Sequence, residues 1–129
     1  MKVLNFEDSV YKANAIRKVL NQCGVAKIEL VSNVEDGLQM LKNAEDTGDP
    51  FDLIITVMHY PMKQGAVSDT EAGEKLVQLL QEQGKQTKVI VCSSRNMKLP
   101  GVYGCIWYSE ISDWEEELCD LGREMEKNR

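Results

Sequence analysis

Five short apolar runs punctuate the 129-residue chain, and most are separated by stretches whose apolar residues recur at helical spacing. The most apolar run lies in Asp52–Gly65, DLIITVMHYPMKQG. Leu53, Ile54 and Ile55 lead to Thr56-Val57, and Met58-His59-Tyr60-Pro61 then turns out toward Gly65. A run this short, with no polar alternation, suits a strand buried on both faces, as strands of parallel sheets are. In open parallel sheets, ligands and reacting groups gather just beyond the carboxyl ends of the strands. The strand Asp52–Val57 therefore delivers its last residue, Val57, to the place where chemistry is expected.

The other runs fall into register around it. Val3–Phe6 is a strand candidate followed at once by Glu7-Asp8-Ser9. Ser9 can cap a helix carrying Ala13, Ile16, Leu20 and Cys23 on one face, with Gly24 at the left-handed position that ends it. Lys27–Val31 is a second strand, and Ser32-x-x-Glu35 is a capping box for a helix with Val34, Leu38 and Leu41 inward. Gly48 ends that unit. After Pro61 comes a long loop, Met62 to Asp69, and Ser68-x-x-Glu71 is a further capping box for a helix burying Ala72, Leu76, Leu79 and Leu80, closed by Gly84. Lys88–Cys92 and Gly104–Tyr108 are the fourth and fifth strands. Ser112-x-x-Glu115 caps a last helix in which Ile111, Trp114, Leu118, Leu121 and Met125 keep a 3-4-3-4 rhythm. Only 12 residues separate Cys92 from Cys105, so a helix in that crossover has one or two turns at most, or is absent. Strands alternating with amphipathic helices predict an α/β domain with a parallel sheet covered on both faces. One domain over residues 1–129 fits the length and the lack of repeats, low-complexity tracts or linkers.

Composition narrows function by exclusion. A net charge of −6 argues against direct contact with nucleic acid, which needs clustered Lys and Arg. No apolar run is long enough to span a membrane, and the start, MKVLNFEDS, is too acidic for a signal peptide, so a cytoplasmic setting is expected. The four cysteines, Cys23, Cys92, Cys105 and Cys119, lie far apart without a C-x-x-C pair, and buried free thiols are expected rather than a disulfide framework or zinc site. Neither G-x-x-x-x-G-K-[ST] nor G-x-G-x-x-G occurs, which leaves nucleotide binding without a phosphate loop. His59 is the only histidine, and no G-x-S-x-G elbow accompanies it, so a hydrolytic triad lacks its parts and a solvated loop histidine is the plain reading.

Three strand ends carry notable residues: Glu7-Asp8 after the first, Val57 at the third and Ser93-Ser94 after the fourth. If the first strand lies between the second and third, these ends form one crevice. In this the chain resembles the receiver domain of two-component response regulators, over nearly its whole length. The resemblance is carried by VLNFEDS, with paired acids after the first strand, by DLIITVMHYP, with a proline four residues past the acceptor position, and by VIVCSS. It implies a flavodoxin-like, doubly wound five-stranded parallel sheet of order 2-1-3-4-5 and a role in phosphorelay signal transduction, not an enzyme.

In that family the first acids bind Mg2+, an aspartate ending the third strand takes the phosphoryl group, a Ser or Thr after the fourth strand engages it, and a Lys after the fifth pairs with it. Carried over by position, Glu7, Asp8 and the His59 backbone carbonyl match the metal site, and Ser93 matches the hydroxyl switch. Val57 falls on the phosphoacceptor. The lysine has no counterpart, since Tyr108, Ser109 and Glu110 occupy its neighbourhood. The resemblance also implies a histidine kinase or phosphotransfer protein as partner, with a homodimer or an effector domain downstream. Tyr103, Trp107 and Tyr108 near the last helix are either core and edge aromatics or part of a partner-binding face.

The chemistry of those roles is independent of the family. Mg2+ prefers an octahedron of hard oxygens, and Glu7 and Asp8 supply it only in part, so weak or absent binding is expected. An acyl phosphate needs a carboxylate nucleophile, and a valine side chain has no atom that can attack phosphorus. Two explanations of Val57 stay open: an engineered Asp-to-Val substitution in a competent receiver, or a natural pseudo-receiver that works by partner or dimer contacts. A small flavodoxin-like enzyme is the rival from another class, because a fold does not dictate a function.

Overall fold

The computed structural model describes residues 1–128, and its architecture follows from the two apolar faces of the central strands. The central elements are β1 (Lys2–Phe6), β2 (Lys27–Val31), β3 (Leu53–Thr56), β6 (Lys88–Ser93) and β7 (Gly104–Trp107), with β4 (Tyr60–Pro61) and β5 (Ser68–Asp69) forming a separate two-residue hairpin. The five-stranded sheet is parallel throughout, in the order β2-β1-β3-β6-β7. With the hairpin set aside, this is the predicted order 2-1-3-4-5. Side chains along a strand alternate between faces. Val3, Leu53, Ile55, Ile90 and Cys92 enter one core, and Leu4, Phe6, Ile54, Val89 and Val91 enter the other.

Helices α1 (Val10–Gln22) and α4 (Trp114–Lys127) cover the first face through Ile16, Val19, Leu20, Trp114, Leu118 and Met125. Helices α2 (Val34–Asp46) and α3 (Ala72–Glu82) cover the second through Val34, Leu41, Leu76, Val77 and Leu80. Two glycines set how closely the second pair sits. A methyl at Gly37 would collide with the Phe6 ring, and one at Gly73 would collide with the backbone carbonyl of Val57. Bare Cα atoms at these positions let α2 and α3 press onto β1 and the end of β3.

Several local expectations are corrected. Ser9 caps α1, accepting from the Lys12 amide at 3.3 Å, and Gly24 and Gly84 take positive φ just beyond their helices, as predicted. The cap of α2, however, is Asn33 and not Ser32: Asn33 Oδ1 accepts from the Asp36 amide at 2.8 Å, and Asn33 Nδ2 donates to Asp36 Oδ2 at 2.8 Å. Ser68 caps nothing, because it pairs with Pro61 in the hairpin; α3 starts after Glu71 with no side-chain cap. Ser112 is likewise no helix cap, since its hydroxyl turns back to the carbonyls of Trp107 and Ser109. Ile111 is 83% exposed instead of inward, because the last helix begins three residues later than its rhythm suggests. The segment between β6 and β7 holds no helix, so of the two options left open there the second holds.

The largest correction concerns cysteine. Cys92 and Cys105 are free, but Cys23 and Cys119 form a disulfide across 96 residues of sequence. Cys23 closes α1 and Cys119 sits in α4, and the packing of these helices brings the two Cα atoms to 5.7 Å, within disulfide reach. Among the described residues no helix is long and apolar enough to cross a membrane.

Candidate functional site

The carboxyl ends of β1, β3 and β6 converge, and the loops leaving them enclose a cavity of about 380 Å3 lined by Glu7, Asp8, Lys12, Val57, Ser93 and Arg95, with His59 and Thr70 at its side. The three strand ends singled out in the sequence therefore do form one crevice. Each component is placed by backbone pairing. The Glu7 amide donates to the Val31 carbonyl at 2.9 Å, and the Val57 amide donates to the Phe6 carbonyl at 3.3 Å, so both residues extend their strands by one step.

Glu7 is buried, at 3% exposure, whereas Asp8 is exposed. One Glu7 oxygen accepts from the Ser9 amide at 3.3 Å, and the other, Oε1, is buried with no hydrogen-bond partner. An unpartnered buried acceptor costs about 1–3 kcal/mol, so this orientation is maintained against a penalty. Burial pushes the Glu7 carboxyl above the usual carboxylate range, opposed first by the positive charge of Lys12 and then by the Ser9 amide.

Val57 is 5% exposed and belongs to the core beneath the crevice together with Met58. Its carbonyl accepts from Thr56 Oγ1 at 2.8 Å, and that hydroxyl also meets the Tyr60 hydroxyl at 2.9 Å. The buried Tyr60 ring thus fixes the turn after β3, and burial drives its phenol pKa upward. Ser93 is buried and its Oγ accepts from the Arg95 amide at 3.0 Å, which engages the hydroxyl in its own loop. Arg95 reaches over the mouth to Glu71 at 3.7 Å. His59 is exposed beside the crevice.

Lys12, Thr70 and Arg95 line the crevice but are absent from the sequence-based set, and Lys12 is the one that reaches across it. Lys12 leaves the first turn of α1 and crosses to β6, where its Nζ donates to the Cys92 carbonyl at 3.1 Å and lies 4.6 Å from the Tyr108 ring centroid. A signal for it exists in the sequence. The first turn of a helix disfavours a cation, and Lys12 stands there with no acidic residue beside it in that turn. The Cys92 thiol beneath is inert, its pKa pushed up to about 12 by burial.

Of the aromatics, Tyr108 packs against Trp114 with ring centroids 4.7 Å apart, Trp107 Nε1 donates to the Ser94 carbonyl at 3.1 Å, and Tyr103 carries Lys88 Nζ at 5.5 Å from its centroid. All three are half-buried. A larger groove of about 1030 Å3 runs between α2, α3 and the hairpin. Val34, Leu38, Leu41 and Leu79 line its apolar part, and charged residues rim it, among them Glu45 and Lys85, which pair at 2.6 Å.

The magnesium set does not fit as it stands. The crevice offers one buried and one exposed carboxylate beside the apolar Val57, and among the described residues no three His, Cys, Asp or Glu side chains group as metal ligands. Two carboxylates and a carbonyl are short of an octahedral oxygen shell without a ligand phosphate.

Solved structures match this fold end to end. A response regulator of red-light signalling from R. palustris superposes with a TM-score of 0.69 at 19% identity, covering 93% of this chain and 90% of that one. A two-component response regulator from Legionella pneumophila gives 0.69 at 15% identity, covering 98% of both chains. The chain has the receiver fold. A third receiver domain, from a histidine kinase of Arabidopsis thaliana and complexed with Mg2+ and BeF3-, matches at a TM-score of 0.64 and 17% identity, over 98% of this chain and 89% of that one. No protein-family model matches the sequence, and no curated protein matches it. The receiver fold is therefore shared at the level of backbone path, while sequence identity to these neighbours is only 15–19%.

Proposed function

We propose that the chain is a single receiver-like domain, over residues 1–129, of two-component phosphorelay signalling that takes up no phosphoryl group at Val57 and acts through protein contacts. The observation that carries this reading is the apolar side chain of Val57, 5% exposed, at the strand tip on which the crevice converges. Two further features support it: Ser93 Oγ accepts from the Arg95 amide within its own loop, and no lysine stands in the loop Tyr108–Asp113 after β7. Its partners are a histidine kinase or phosphotransfer protein upstream and a second copy or an effector domain downstream, with half-buried Tyr103, Trp107 and Tyr108 as the contact face. Neither nucleic acid nor a membrane is contacted directly. The reading is of a binding module, not an enzyme, and it is supported by the serine hydroxyls Ser9 and Ser93 of the crevice, which bond to backbone amides and, among the described residues, to no side-chain base. A cytoplasmic setting accompanies it, and the Cys23–Cys119 bridge runs against that setting.

The retained Glu7, Asp8, Ser93 and Pro61 favour a second reading, a competent receiver disabled by an Asp-to-Val substitution. One experiment separates the two. This chain and its Val57→Asp variant are incubated with Mg2+ and acetyl phosphate and weighed by intact-mass spectrometry. We expect both to stay unmodified. Addition of a phosphoryl group to the aspartate form alone selects the second reading, and addition to this chain itself defeats both.

A further inference from the structure

We infer that the outer edge of β2 is a self-association surface, on which a second copy of this chain pairs its own β2 antiparallel about a two-fold axis at Ile28. This edge lies across the sheet from β7 and its aromatic residues. The inference therefore goes beyond the proposed function and stands independently of it.

Three observations carry it. The first is the backbone. The Glu7 amide donates to the Val31 carbonyl, and Asn5 stands in register with Leu30, so Lys27, Glu29 and Val31 turn their amides and carbonyls toward β1. Ile28 and Leu30 turn theirs outward, at the end of the sheet where no strand follows. Such a row of unpaired groups is a template for another strand. The second observation is charge. Val31 enters the core under α2, and Lys27 and Glu29 share its face, where both are exposed. Glu29 meets Lys2 at 3.9 Å, whereas among the described residues Lys27 has no ion-pair partner and stands in register beside the like charge of Lys2. Charges commonly keep strand edges apart, but opposite signs two positions apart complement each other when the strand is turned against its own copy. With Ile28 facing Ile28 of the second copy, Lys27 stands opposite Glu29 of that copy, and the symmetry repeats the pair. Centring the axis on Glu29 would oppose two carboxylates, and centring it on Lys27 would oppose two ammonium groups. The third observation is apolar surface on the other face. Ile28 is half-buried and Leu30 is 50% exposed. The register chosen by charge sets Ile28 against its own copy and Leu30 opposite Ala26, so both leave water.

The test is sedimentation equilibrium of the intact chain over a concentration series, repeated on Lys27→Glu, on Glu29→Lys and on an equimolar mixture of the two variants. Both substituted side chains are exposed, and circular dichroism with urea unfolding checks that each variant keeps the fold. The inference expects a reversible monomer–dimer equilibrium for the parent. Each single reversal should raise the dissociation constant at least about tenfold, because both symmetry-related pairs turn from attraction to repulsion. The mixture should recover a dimer of the parent's strength, since the reversed charge at position 27 of one variant then faces the reversed charge at position 29 of the other. A parent that stays monomeric at every concentration overturns the inference. So do single reversals that dimerise as tightly as the parent, which would place the contact on another face, and a mixture that stays as weak as its components.

Discussion

Val57 is the residue on which the crevice depends, and its surroundings state what an aspartate there would meet. It is buried at the tip of β3, with Glu7 and Asp8 lining the same cavity. Like charges about 4 Å apart at an effective dielectric of about 20 repel by roughly 4 kcal/mol. Without metal, Val57→Asp should therefore lower stability by about 2–4 kcal/mol, read as a lower midpoint of urea unfolding. An equal or higher midpoint for the aspartate form would contradict this picture of the crevice. At this scale the sequence was informative where chemistry is local. Glu7, Asp8, Val57 and Ser93 all sit at strand ends, and a strand end can be read from a few residues. Lys12 was not legible in the same way, because its role depends on a side chain crossing from α1 to β6, 80 residues away in sequence.

At the scale of elements, apolar periodicity predicted every helix and every strand of the main sheet, since each must bury a face or both faces. Capping motifs were less reliable. Ser32, Ser68 and Ser112 all match a box pattern, yet Asn33 supplies the cap of α2, Ser68 joins a hairpin and Ser112 binds back to β7. A serine two to four residues from a helix has several backbone partners within reach, and tertiary placement selects among them. The disulfide between α1 and α4 was hidden for a related reason. Its cysteines become neighbours only when both helices pack on one face of the sheet. Closing a loop of that length removes unfolded-chain entropy equivalent to about 4.7 kcal/mol. Reduction with dithiothreitol should shift the urea midpoint downward by a corresponding amount in this chain and leave a Cys23→Ser/Cys119→Ser variant unmoved. An identical midpoint with and without reductant would show that the bridge contributes nothing.

For the molecule as a whole, the same strand order is reached by a sequence only 15–19% identical to its structural neighbours. The order follows from burying five short strands between two helical layers, and many apolar sequences satisfy that demand. The site obeys a narrower rule, because a valine side chain supplies neither a nucleophile nor a metal ligand, whatever fold presents it.

The bridge from Cys23 to Cys119 also gives the chain a topology that its linear order conceals. All residues between the two sulfurs, including most of the sheet, form a closed covalent ring, and only the ends hang outside it. The exposed turn between β4 and β5, with Lys63, Gln64, Gly65 and the 90%-exposed Val67, lies within that ring. A single tryptic cut after Lys63 should open the ring without dividing the molecule. The nicked protein should migrate as one species on a non-reducing gel and as two fragments once the sulfurs are reduced.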